Sequence, residues 1–194
     1  MRYGLKRRLR KGIRLKIFPT FVCTLDCAYC GNKLGGDHRP VDRKLMTWQE
    51  WAEYIDTFPM KINEVFLSGG EPTLLEGFEH LINHISGRYL VTVYTNLTNH
   101  TKWNRVNSTD NIRIQATFHG RSDKQERFLK AYHSVKQLHR VDVEEIAENR
   151  LGFSRVKPWG CTVDLANIID KNYFWVAPDG MIFRNCYGVI NYMQ

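Results

Sequence analysis

Long hydrophobic runs are missing from this chain: no stretch approaches the roughly 18 apolar residues that a membrane-spanning helix needs. No apolar segment follows the basic N-terminus, which excludes the pattern of a secretory signal. Internal repeats and low-complexity linkers are absent as well, so nothing divides the 194 residues into separate arrays. Cysteine is sparse and odd in number, five in all with three inside eight residues. That count speaks against a secreted disulfide framework and for a reducing, cytoplasmic setting. Hydrophobic content of 43% and charged content of 25% are those of a soluble globular protein of about one domain.

Acid is what the first sixteen residues lack. They hold Arg2, Lys6, Arg7, Arg8, Arg10, Lys11, Arg14 and Lys16 with no Asp or Glu among them. The other twenty basic residues match the twenty acidic ones, so the whole net charge of +8 lies in this arm. A one-sided cluster of this kind is an electrostatic footprint for phosphates; Arg7, Arg8, Arg10, Lys11 and Arg14 are the candidate nucleic-acid contacts. The plain alternative is a solubilising tail or the solvated face of a first element.

What is present is concentrated at residues 21–30, Phe-Val-Cys-Thr-Leu-Asp-Cys-Ala-Tyr-Cys. Cys23, Cys27 and Cys30 stand at spacing C-x3-C-x2-C. Thiolates this close repel one another and oxidise readily, so a reduced chain keeps them to hold a soft metal centre. A [4Fe–4S] cube takes four thiolates, and three leave one iron open for a ligand that is not protein. A structural zinc site with His38 as fourth ligand is the alternative, although paired C-x2-C knuckles are the usual zinc spacing.

Farther on, the apolar run Glu64-Val65-Phe66-Leu67 feeds Ser68-Gly69-Gly70-Glu71-Pro72. A glycine pair after a strand lets backbone come close to a neighbour, and Glu71 adds a carboxylate at a strand end. The cysteine spacing with Tyr29 before the last thiol, followed about forty residues later by S-G-G-E-P, resembles the radical SAM superfamily. The resemblance implies a [4Fe–4S] cluster on Cys23, Cys27 and Cys30. It implies S-adenosylmethionine on the open iron, held by Ser68, Gly69, Gly70 and Glu71 with Tyr29 near the adenine. It further implies reductive cleavage to a 5′-deoxyadenosyl radical, with the electron brought by a flavodoxin or ferredoxin.

The remaining chain predicts alternating strands and helices. Leu15–Phe21 reads as a strand, and Thr47 with Glu50 as a capping box opening a helix to about Phe58. Residues 76–86 make a second helix, on which His80 and His84 stand four apart without a third ligand. Leu90–Tyr94 is a strand ending in Thr95-Asn96, similar to the T-N of the family, with Leu97 where a glycine is usual. Residues 99–110 read as loop, and Ile112–His119 as a fourth strand. In the family that strand binds the cofactor, which makes Gln115 and Thr117 candidates here beside Asn96. A third helix over 127–138 and a fifth strand over 141–146 follow.

Pro178-Asp179-Gly180 between apolar runs is a hairpin turn, flanked by Cys161 and Cys186. The hairpin is similar to the SPASM or twitch extension of some members, but two cysteines do not fill a second cluster, and none is expected. The expected fold is α/β, an incomplete TIM-type βα barrel open on one side with a short C-terminal β-hairpin. Its parts are a basic arm over 1–16, the cofactor domain over 17–150 and the hairpin extension over 151–194.

The family does not fix a substrate. A base in DNA or RNA, rearranged or modified, is the first expectation. The basic arm motivates it, and small phage-like members that rearrange hypermodified bases are one known group. Peptide maturation, a small metabolite, and a non-catalytic zinc-stabilised nucleic-acid-binding module are the alternatives. Tyr94, Asn96, His119, Arg155 and Lys157 are the substrate-side candidates; His119 and Tyr94 are the catalytic candidates, His119 as a proton-transfer or substrate group or as a simple capping hydrogen bond.

Overall fold

A computed structural model describes residues 12–25, 27, 45–119, 125–146, 156–157 and 173–183. In chain order the elements are β1 (Ile13–Thr20), α1 (Trp48–Asp56), β2 (Ile62–Gly69), α2 (Phe78–Ser86), β3 (Leu90–Thr95) and β4 (Ile112–Phe118). They continue with α3 (Gln125–Lys136), β5 (Val141–Ile146), β6 (Val156–Lys157), β7 (Tyr173–Val176) and β8 (Ile182–Phe183). Turns of 3-10 helix lie at Pro72–Leu74 and His100–Arg105. No described helix is long and apolar enough to cross a membrane.

One eight-stranded sheet runs β6-β5-β4-β3-β2-β1-β7-β8. Every neighbouring pair is parallel except β7 and β8. The end strands β6 and β8 do not meet, so the sheet is an open βα arrangement, as the sequence predicts. Parallel strands need crossovers, and α1, α2 and α3 supply them between β1 and β2, β2 and β3, and β4 and β5.

Period-2 alternation sorts the strand residues onto two faces. Leu15, Ile17, Val65, Leu67, Val93 and Ile114 point to the helix side, where they pack with Trp51, Ile55, Phe78, Leu81, Ile85 and Val135 in one core. The register places Lys16, Phe66 and Trp175 in one row on the opposite, inner face. Tyr94 and Gln115 make a further row there, and Thr117 lies beside Glu144.

The predicted capping box is present: Glu50 N donates to Thr47 Oγ1 at 3.2 Å, and Thr47 N to Glu50 Oε2 at 2.7 Å. The register of β1 shifts between Ile17 and Thr20, where Pro19 has no N–H for the ladder.

Three features differ from the sequence reading. β1 begins at Ile13, so Arg14 and Lys16 belong to the sheet rather than to a free basic arm. Arg14 lies 4.0 Å from Glu64 and donates to the Tyr173 hydroxyl at 3.4 Å, which removes it from a set of loose phosphate contacts. Arg7, Arg8, Arg10 and Lys11 lie outside the described residues. The hairpin does form, with Gly180 at φ +87° in its turn, but β7 is a parallel neighbour of β1 and thus part of the main sheet.

The stretch read as loop after β3 contains the 3-10 helix whose Trp103 is fully buried, edge-on to Phe78 at 5.1 Å and near His139 at 5.7 Å. Between β3 and β4 this turn does what a helix does elsewhere, covering the sheet with one large ring. Trp103→Ala should therefore cost about 3–5 kcal/mol, read as a lowered midpoint in denaturant with an unchanged slope. A surface-like change below about 0.5 kcal/mol would contradict the burial.

Candidate cluster and cofactor site

The cysteine loop leaves the C-terminal end of β1, and the glycine pair of β2 holds it there. Gly70 N donates to Thr20 O, and Glu71 N to Val22 O, both at 2.9 Å, which extends the β1–β2 ladder into the loop. A Cβ on Gly70 would stand 2.1 Å from Val22 O and 2.5 Å from Phe21 O. On Gly69, at φ +114°, it would meet Thr20 O at 2.4 Å. The close approach that the glycines permit is to the cysteine loop itself.

The Glu71 side chain is tied into the fold itself. Its carboxylate is fully buried. Oε1 accepts from Thr73 N (3.2 Å), Thr73 Oγ1 (2.7 Å) and Thr95 Oγ1 (2.8 Å), and Oε2 from Asn96 N (2.7 Å). Burial pushes the carboxyl above its usual range, and these four hydrogen bonds oppose that. The group ties the ends of β2 and β3 together from inside.

From the end of β3, Asn96 Nδ2 donates to Cys23 Sγ at 3.6 Å and to Thr24 Oγ1 at 3.2 Å. At the end of β4, His119 Nδ1 lies 3.6 Å from Cys27 Sγ. Both thiols are half-buried and sit over the C-terminal ends of these strands. Cys23 is raised above its ordinary value by burial; the Leu25 N–H opposes this, and the charges of Glu71 and Cys27 add to it. Such a thiol stays protonated at neutral pH until a metal displaces the proton.

Two sulfur donors on one loop, each met by a side-chain nitrogen, with the loop seated on glycines that leave no room for a Cβ, fit a thiolate-held iron–sulfur centre. Cys30, the third ligand expected, lies outside the described residues together with Tyr29, Arg155, Cys161 and Cys186. Among the described residues no group of three His, Cys, Asp or Glu side chains converges on a metal position.

The other candidates separate by face. Ser68, at the end of β2, and Gln115 and Thr117, on the inner face of β4, are half-buried where a ligand over the strand ends can reach them. Tyr94 also faces inward, stacked on Phe66 at 6.4 Å. Burial pushes its phenol up to about 12, which keeps it a hydrogen-bond donor. His119, lowered to about 4 by burial, is a neutral imidazole bonded to the cysteine loop. Lys157 lies in β6.

His80 and His84 make no joint site: one lies against Trp48 at 5.2 Å, and the other reaches Asp56 at 2.9 Å. Sequence reasoning missed Lys16, whose Nζ sits over the rings of Trp175 (4.6 Å) and Tyr94 (4.8 Å) while only 5% of the residue is exposed. Its place at an even position in an odd-facing apolar strand was the available signal.

The radical SAM superfamily profile matches residues 17–148. Over 77 residues the chain is 38% identical to 7-carboxy-7-deazaguanine synthase of Clostridium acetobutylicum, a stretch that is 39% of this chain and 34% of that protein. The chain thus spans about a third of the length of that curated relative. Among solved structures, BtrN in complex with AdoMet and 2-DOIA superposes with a TM-score of 0.60 at 12% identity, covering 92% of this chain and 74% of that one. Streptococcus suis SuiB bound to precursor peptide SuiA superposes with a TM-score of 0.50 at 19% identity, covering 68% and 32%. At these identities the structural likeness concerns the fold, the partial barrel.

Two substitutions test how the site is built. In Glu71→Gln, either orientation of the amide turns NH₂ toward a backbone N–H, of Thr73 or of Asn96. A loss of about 1–3 kcal/mol follows, seen as a melting point lower by several degrees. In Gly70→Ala the new methyl must move the cysteine loop. A cost of about 1–3 kcal/mol should come with reduced iron uptake on reconstitution, and normal uptake would show that the loop does not depend on this contact.

Proposed function

The chain is an enzyme of the radical SAM superfamily, and we propose that it abstracts hydrogen from a substrate built on a nucleobase-like heterocycle, carried in DNA or another nucleic acid. Bound to Cys23, Cys27 and Cys30, a [4Fe–4S] cluster would supply the electron that cleaves S-adenosylmethionine to methionine and a 5′-deoxyadenosyl radical. Gly69 and Gly70 hold the cysteine loop against β2, while Ser68, Gln115 and Thr117 offer polar groups to the cofactor over the strand ends. A flavodoxin or ferredoxin is the proposed reductant. The non-catalytic zinc module falls with the family assignment.

The inner face carries the substrate reading. Trp175, Phe18 and Phe21 stack in succession at 5.7 and 5.5 Å, and Tyr94, Phe66 and Tyr173 form a second aromatic row. Lys16, over three of these rings, adds a cation that is almost fully buried. Flat π surfaces beside a cation suit a planar heterocycle with acceptor atoms. The curated relative, whose name carries a deazaguanine, supports the same class. The basic residues Arg7, Arg8, Arg10 and Lys11 favour a base attached to phosphates.

The test is anaerobic reconstitution with iron and sulfide, reduction in the presence of S-adenosylmethionine, and measurement of 5′-deoxyadenosine. Wild-type protein should form it, and Cys23→Ala, Cys27→Ala and Cys30→Ala should not. Duplex DNA should stimulate formation, with an affinity that falls about one log unit per log of salt for each phosphate contact. Stimulation by free bases alone would move the substrate off the polymer. Indifference to both would overturn the heterocycle.

A further inference from the structure

We propose that Asn96 and His119 are positioning residues for the cluster, each donating a side-chain N–H to a ligand sulfur and raising the potential at which the centre accepts an electron. This role presupposes that Cys23 and Cys27 are cluster ligands. Asn96 Nδ2 lies 3.6 Å from Cys23 Sγ, and His119 Nδ1 lies 3.6 Å from Cys27 Sγ. The partners are 73 and 92 residues apart in sequence, so the sheet, not local chain geometry, brings them together.

The direction of both bonds follows from the chemistry. An iron-bound cysteine has lost its proton and only accepts, so the nitrogen must supply the hydrogen. For Asn96 the amide orientation is fixed independently. Its Oδ1 accepts from Thr98 N at 2.9 Å and from Thr98 Oγ1 at 2.7 Å, which leaves Nδ2 toward the sulfur. Its backbone N–H is anchored on Glu71, so the residue has little freedom to turn away. For His119 the thiolate itself decides: a ring nitrogen bonded to an acceptor-only sulfur carries the hydrogen, so Nδ1 is the donor.

Hydrogen bonds to the sulfurs are among the determinants of iron–sulfur potentials. The positive end of each N–H dipole stabilises the extra negative charge of the reduced centre, more strongly where water is scarce. The Leu25 N–H, 3.4 Å from Cys23 Sγ, adds a third donor that is a property of the loop itself.

The experiment is a redox titration of the reconstituted chain, followed by the electron paramagnetic resonance signal of the reduced cluster, with iron and sulfide counted in the same samples. His119→Leu and Asn96→Ala should each retain iron and shift the midpoint to more negative potential. A tenfold loss in the reduction equilibrium is a shift of about 59 mV for one electron. His119→Asn, which keeps an N–H donor near the δ position, should return the midpoint toward wild type; a merely structural role would not give that pattern.

Asn96→Ala also releases Thr98, so the His119 pair decides the matter if that variant does not fold. Unchanged midpoints in fully loaded His119→Leu overturn the positioning role alone. A wild-type chain that holds no four-iron cluster overturns the role and the cluster assignment together.

Discussion

A carboxylate with no access to water is the constraint on which the site depends. Glu71 would be costly to bury without partners, and the fold supplies four donors from two separate segments. Satisfying it forces Pro72–Leu74 to curl back and forces the chain after β3 to bring Asn96 N within 2.7 Å. Once Asn96 is fixed there, its side chain falls on Cys23 and Thr24. One buried carboxyl group thus transmits the register of β2 and β3 to the loop that carries the cysteines. The two motifs that sequence shows as separate, the thiols and the glycine pair with its acid, form one mechanical unit.

The sheet divides labour between its faces. The helix side is apolar and closely packed, and it fixes the strand ends in space. The inner face carries the groups that a purely structural sheet would not put there: Lys16 almost without exposure, Glu144 buried beside Thr117, and the aromatic rows. Burying an ammonium is unfavourable in general, and ring faces offset part of that cost through the quadrupole. The helix side has its own buried polar groups, Glu79 and His139, but neither is a cation like Lys16.

Local periodicity made the elements themselves legible. Short apolar runs, with alternation in β4, marked β1 to β5, the Thr47–Glu50 pair marked the start of α1, and the Pro-Asp-Gly turn marked the last hairpin. The motifs also pointed to the right end of the sheet. What stayed hidden was long-range. Alternation says that residues 173–176 form a strand but not that their neighbour is β1, since pairing is decided by which edge the rest of the sheet leaves open. The 3-10 turn around Trp103 escaped because six residues show too little periodicity to stand out from loop. The structural part of Glu71 and the glycines was hidden too, because a chain written in one line does not show that the cysteine loop lies against Gly69 and Gly70.

Leu97 shows how the same end of the sheet resolves a conflict. It stands where the family usually has glycine, and it is the one non-glycine residue at positive φ among the described residues, at 60°. The left-handed conformation costs a side chain about 1–2 kcal/mol. Full burial of a leucine is worth about 1.5–3 kcal/mol, and Leu97 is 1% exposed within the core. Burial therefore offsets the strain, and it does something that glycine would not. A glycine would allow the turn after Asn96 without holding it. Leu97 plugs the turn into the core, with its N–H on Thr95 Oγ1 at 3.0 Å, and so fixes the residue before it. That residue is Asn96, whose amide reaches the first cysteine, so a strained backbone bond beside the site adds to the rigidity with which the sulfur is held.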